Sequence, residues 1–180
     1  MAVSHSRNRT DRPPYDRAAL EQAALSYAGR YATTRAKLRD YLLRKLRERG
    51  WAESSAPPVE ALAERLAELG YVDDRAFAAA RAAALGRRGY GERRIGAALR
   101  AAGVEEADAL EAREAAREGA WAAALRFAER RKLGPFAARQ ADRAAREKAL
   151  AAMLRAGHPL DLARRLVAAR PGEIPEPDTC

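Results

Sequence analysis

Apolar positions along this chain recur at intervals of three and four, the spacing that lines one face of an α-helix. Leu38, Leu42 and Leu46 follow Thr34, a residue suited to cap a helix over 35–49, and Gly50 stops it. Val59, Leu62, Leu66 and Leu69 mark a second helix that ends at Gly70. From Gly70 to Gly103 the pattern reads helix, glycine turn, helix, glycine stop. Asp73 or Asp74 offers the first cap, Phe77, Ala80 and Ala84 share a face, and Gly86 with Gly89-Tyr90-Gly91 breaks the run. Ile95, Ala98, Leu99 and Ala102 then carry the next helix. Helical pattern starts near Ala18, returns over Ala107–Arg117, and resumes at Trp121, Leu125 and Ala128 until Leu133-Gly134-Pro135. Pro135 suits the first position of a helix running to Ala156, and Leu160, Leu162, Leu166 and Val167 mark a last one before Pro171. The polar ends, 1–17 and 171–180, lack the pattern and are expected to be disordered tails, the first of them basic.

A repeat underlies these helices. Leu46, Leu99 and Met153 each stand four residues before a glycine, and Trp51, Val104 and His158 each follow it. The glycines Gly50, Gly103 and Gly157 are 53 and 54 residues apart. A glycine just past a helix end takes the left-handed conformation, and the next residue folds back on the last turn. Trp51 is therefore predicted against Leu46, and Val104 against Leu99. Leu62-Ala63-Glu64-Arg65-Leu66 is echoed by Leu162-Ala163-Arg164-Arg165-Leu166. The chain reads as three tandem three-helix units, over 18–70, 71–119 and 120–170, a period longer than that of two-helix repeats.

Composition sharpens the class. The chain is 48% hydrophobic yet 6% aromatic, because alanine supplies much of the apolar fraction and strand-forming residues are scarce. Alanine is the best helix former, so the expected fold is all-α, with thin, elongated and curved packing in place of one thick core. The single cysteine is Cys180, which excludes a disulfide framework and points to a reducing cytoplasm. No apolar run approaches membrane-spanning length, and Met1–Pro14 lacks the apolar core of a signal peptide.

Net charge is +9, with an isoelectric point near 10.3, which favours an anionic partner. The charge follows the repeat. Residues 30–49, 87–100 and 126–148 carry net charges of +6, +4 and +5, while 53–74 and 105–118 carry −5 and −4. Arg35, Arg39, Arg87, Arg88, Arg93, Arg94, Arg130, Arg131 and Lys132 are the candidate contact residues. Arg93 and Arg94 stand in a first helical turn, where the helix dipole disfavours cations by about 0.3–1 kcal/mol. A solvated arginine face, or salt bridging between helices, accounts for the same pattern without a partner.

No catalytic constellation emerges. One cysteine and two histidines do not make an ordinary zinc site. Gly89-Tyr90-Gly91 lacks the spacing and the preceding strand of a phosphate loop. Asp73-Asp74 reads as helix capping, and His158 as a packed cap residue. Catalytic, cofactor and metal sites are accordingly expected to be absent.

Several stretches resemble the RecX family of recombinase regulators. They are Gly70-Tyr71-Val72-Asp73-Asp74-Arg75-Ala76-Phe77-Ala78, Arg88-Gly89-Tyr90-Gly91-Glu92-Arg93-Arg94-Ile95, Arg131-Lys132-Leu133-Gly134-Pro135-Phe136 and Leu154-Arg155-Ala156-Gly157. The resemblance spans about residues 20–170 and is loosest in the first unit, around Ala32-Thr33-Thr34-Arg35. It implies a three-unit helical crescent, monomeric and cytoplasmic, that lies in the groove of the RecA–DNA filament. It also implies inhibition of strand exchange, ATP hydrolysis and coprotease activity, with weak DNA binding, and so control of DNA repair, recombination and the SOS response. A sequence-independent DNA-binding module acting without a recombinase is the alternative reading. A small nuclease and a scaffold whose basic surface only aids solubility are weaker ones.

Overall fold

The computed structural model describes residues 12–177, and every regular element among them is helical. The described chain forms two compact units, the first ending at Asp74 and the second beginning at Arg75.

The first unit holds α1 (Arg17–Arg30), α2 (Arg35–Arg49) and α3 (Val59–Glu68). Asp16 caps α1 through the Ala19 N–H, and Thr34 caps α2 through the Lys37 N–H, as its place in the sequence predicts. Leu20, Ala24, Leu38, Leu42, Leu62 and Leu66 form the core. Leu46 and Trp51 both pack against that core. The sequence pattern runs the N-terminal tail to residue 17. The part over residues 1–11 lies outside the described residues, whereas Tyr15 is buried. Its N–H donates to Gly50 O at 3.0 Å, its carbonyl accepts from Ala52 N at 2.9 Å, and the Arg49 guanidinium sits 4.0 Å from its ring centroid. One aromatic residue among polar neighbours carries no periodicity, which is why pattern alone leaves it in the tail.

The second unit holds α4 (Asp74–Arg87, whose first residue belongs to the first unit), α5 (Glu92–Ala101), α6 (Glu106–Glu118), α7 (Ala120–Arg131), α8 (Arg143–Arg155) and α9 (Leu160–Ala168). Residues of α4–α6, among them Leu85, Ile95, Leu99 and Val104, make one apolar cluster. Residues of α7–α9, among them Phe127, Met153, Leu162 and Leu166, make another. Tyr90 packs against both.

The expected helix from Pro135 to Ala156 is shorter than its pattern. Gly134–Phe136 is a single 3-10 turn, and α8 starts only at Arg143, capped by Asp142 through the Ala145 N–H at 2.8 Å. A side chain on Gly134 would meet Leu166 O at 1.9 Å, so the chain touches α9 there instead of continuing as helix. Beyond α9, Gly172 N donates to Pro135 O at 2.8 Å, and residues 178–180 lie outside the described residues.

The three repeat glycines stop their helices in two ways. After α5 and α8 the bonding is the same: Val104 N to Leu99 O and His158 N to Met153 O, with Gly103 and Gly157 at φ of 70° and 92°. After α2, Gly50 has φ 81° and ψ 177°, so the chain leaves extended and runs beside Tyr15. No helix among the described residues is long and apolar enough to cross a membrane.

Candidate polyanion-binding site

The site grows from the turn between α4 and α5. Gly89, at φ 72°, folds the chain so that Tyr90 N bonds Leu85 O at 3.1 Å. The turn has no room for side chains at its glycines. A Cβ on Gly89 would lie 2.7 Å from Phe127 N, and one on Gly91 would lie 2.4 Å from Gly157 O. A Cβ on Gly157 would lie equally close to Arg94 N, at 2.4 Å. Gly91 N donates to Ala156 O at 2.9 Å, and His158 Nε2 lies 3.0 Å from Gly89 O. Backbone thus meets backbone where the turn crosses the joint between α8 and α9.

That crossing gathers arginines from three places in the sequence. Arg88 and Arg94 flank the turn, Arg130 and Arg131 end α7, and Arg155 ends α8. The guanidiniums of Arg94, Arg88 and Arg130 lie 4.7, 5.5 and 5.8 Å from the Tyr90 ring centroid, within reach of its electron-rich face. Arg94 donates from Nη1 to Arg155 O at 3.5 Å, and Arg130 donates to Arg88 O. With Tyr90 and Phe127 the five arginines line a concavity of about 550 Å³, and no carboxylate is part of its wall. Glu92, the nearest acid in sequence, lines the adjoining groove instead, where arginines outside the pocket hold it. It accepts from Arg113 Nε at 2.6 Å and lies 3.8 Å from Arg117, while Arg113 also bonds Glu106. The Glu92 hydrogen bond is the main reason the Arg113 pKa is raised; partial burial opposes it.

Of the nine residues singled out in the sequence, Arg88, Arg94, Arg130 and Arg131 come together here. Arg93 lines an adjoining groove with Arg94, Arg100 and Arg155. Arg87 lines a different concavity, half of whose lining residues are alanines of α4, α6 and α7. Lys132 is exposed and is the left-handed residue that ends α7, at φ 53°. Arg39 is half-buried on α2 of the first unit. Arg35 has a structural partner. Its backbone N–H and Nε both donate to the buried Asp74 carboxylate, at 2.9 and 3.3 Å, and Nη1 reaches Glu64 at 3.4 Å. Burial alone lowers the Arg35 pKa, but Asp74 and then Glu64 outweigh it and raise it. Arg155 is the member that pattern missed. Its sequence signals are its place two residues before Gly157, the glycine the turn packs on, and its inclusion in the stretch Leu154 to Gly157 that shares the resemblance.

Comparison with known proteins agrees with the resemblance. No family model matches the chain. The regulatory protein RecX of Myxococcus xanthus (strain DK1622) is 35% identical over 163 residues, covering 84% of this chain and 86% of that protein. The chain belongs to the RecX family. The crystal structure of RecX from Lactobacillus salivarius has the same fold, with a TM-score of 0.60 at 18% identity, over 83% of this chain and 93% of that one. The all-helical class expected from alanine content and periodicity is therefore the fold of a RecX protein. The chain is a RecX-type regulatory protein, and the arginine pocket lies at the motif, Arg88 to Ile95, that carries much of the resemblance.

Proposed function

We propose that this RecX family member binds the RecA–DNA filament and restrains it, as a monomeric, non-enzymatic regulator of recombination, DNA repair and the SOS response in the cytoplasm. The observation that carries the reading is the pocket around Tyr90: five arginines held together by a backbone junction with no carboxylate among them. Such a wall is electrostatically unfavourable in the free protein and is relieved by an anionic partner.

We read the apolar cluster of the first unit and the two of the second as the cores of three repeat units, 18–70, 71–119 and 120–170. A repeat of this kind offers several contacts to a polymer of identical subunits, and linked contacts raise affinity without any single strong one. Arg88, Arg94, Arg130 and Arg131 head the contact set, with Arg87, Arg93, Lys132 and Arg39 as its margin. Arg35 belongs to it least, being bound to Asp74.

Co-sedimentation with recombinase–DNA filaments tests the reading, with recombinase-free DNA as control. Retention on filaments beyond that on bare DNA is the expected result, together with slower strand exchange and ATP hydrolysis. Equal retention on both would favour the DNA-binding module that acts without a recombinase.

A further inference from the structure

Resting on that reading, we infer that the pocket formed by Arg88, Tyr90, Arg94, Arg130, Arg131 and Arg155 is a phosphate site, and that it takes phosphodiester groups of nucleic acid, not carboxylates of a protein surface.

Three observations separate phosphate from carboxylate. The first is the number of guanidinium-bearing residues around one hollow. A carboxylate is planar and has two oxygens, so one guanidinium in bidentate contact nearly saturates it, whereas a tetrahedral phosphate accepts from several directions at once. Five arginines around one concavity match the second geometry. Where this chain pairs arginine with carboxylate it uses one or two guanidiniums per acid, as at Asp74 with Arg35 and at Glu92 with Arg113 and Arg117.

The second is that the five are free of acid partners. None takes part in an ion pair among the described residues, although the chain pairs arginine with acid repeatedly elsewhere. Arg94 and Arg130 are steadied by one backbone carbonyl each and by the Tyr90 ring. A guanidinium carries five donors, so most remain available.

The third is continuity. Arg94 lines the pocket and two adjoining concavities, one shared with Arg93, Arg100 and Arg155, the other with Arg81 and Arg88. Glu92 also lines the first of the adjoining two, with its carboxylate bound to Arg113. Arginines thus outnumber acids in every hollow around Arg94, which suits a ligand with phosphates at regular intervals. The Tyr90 ring already has three guanidiniums within 6 Å of its centroid, and the other polar side chains of the wall are arginines, which suits recognition of backbone and not of sequence.

The test measures the full chain by fluorescence anisotropy against a short mixed-sequence single-stranded oligonucleotide over a range of salt, with inorganic tripolyphosphate as competitor. The same variants go through filament co-sedimentation. Arg94→Gln and Arg155→Gln are each expected to weaken oligonucleotide binding by about tenfold or more, the loss typical of a hydrogen bond to a charged group. Each is expected to flatten the salt dependence by about one ion. Arg94→Lys, which keeps the charge and loses the fork, is expected to fall between, and Arg139→Gln, at an exposed arginine outside the pocket, to match the parent. Circular dichroism checks that each variant folds.

Oligonucleotide binding untouched by Arg94→Gln and Arg155→Gln would overturn the inference. Filament binding lost while oligonucleotide binding persists would also overturn it, because the pocket would then meet protein carboxylates. Tripolyphosphate bound at the pocket with no effect of the variants on the oligonucleotide would leave a free-polyphosphate site and overturn the assignment to nucleic acid. Variant-sensitive oligonucleotide binding in a protein that never joins a filament would uphold the pocket and sink the filament reading instead.

Discussion

His158 Nε2 lies 3.0 Å from the carbonyl oxygen of Gly89, 69 positions earlier in the chain, and both residues are buried. A carbonyl only accepts, so Nε2 carries the proton and Nδ1 is the bare nitrogen, buried and without a partner. Phe127 lies against the ring, with centroids 5.5 Å apart. Burial holds the His158 pKa below its ordinary 6.5, with the Gly89 bond pulling weakly the other way. The folded state thus favours the neutral ring, while the unfolded chain takes up a proton near 6.5.

Stability is accordingly expected to be full above pH 6.5 and to decline as pH falls from there towards the lower folded pKa. Denaturant unfolding at several pH values checks this. His158→Gln, which keeps an amide donor for Gly89, should flatten the decline. His158→Val, which copies Val104 at the equivalent place in the repeat, should flatten it too but cost about 1–3 kcal/mol at neutral pH for the orphaned carbonyl. An unchanged pH slope in both variants would show that some other group titrates.

Glycine substitutions should split sharply by position. Gly91→Ala and Gly157→Ala place a methyl group 2.4 Å from backbone atoms that have no freedom to move, so each should cost about 1–3 kcal/mol or more. Gly157 also has φ 92°, which adds strain. Gly86→Ala, within α4 and with nothing within 4 Å of its Cβ, should stabilise by about 0.5–1 kcal/mol. Equal effects at the three sites, measured by unfolding, would count against the backbone junction.

Arg35 and Asp74 form the second test of placement. Asp74→Ala removes the acceptor of two donors, with the carboxylate side chain 3% exposed and Arg35 22% exposed, so a loss of about 2 kcal/mol is expected. A double-mutant cycle with Arg35→Ala should return a coupling of about 1 kcal/mol, separating this pair from an ordinary surface ion pair. A coupling near zero would return Arg35 to the set of free contact residues.

Tyr90 links packing to charge. Tyr90→Phe keeps the ring and should leave stability and filament retention near the parent. Tyr90→Leu removes the electron-rich face from Arg88, Arg94 and Arg130, and is expected to lower retention several-fold, with a stability cost of about 1–2 kcal/mol. Parallel behaviour of the two variants in co-sedimentation would show that the ring does not organise the arginines.

Alanine content and the three-and-four spacing of apolar residues were enough to specify helices and most of their ends, because helix periodicity, caps and glycine stops are local effects written in neighbouring residues. The family was legible only as a resemblance in motif stretches such as Arg88 to Ile95. Thr34, Gly70 and Gly103 are cases in which the local reading holds. Arg88 and Arg94 were visible as an unusual charge beside a glycine turn for the same reason. Tertiary structure alone decided which arginines meet. Arg155 joins Arg94 because Gly91 and Gly157 let two backbones touch, and Arg35 leaves the set because Asp74, 39 positions away, takes its guanidinium. Tyr15 and the late start of α8 belong with them. Each depends on a partner distant in sequence, and no periodicity along a chain records who that partner is.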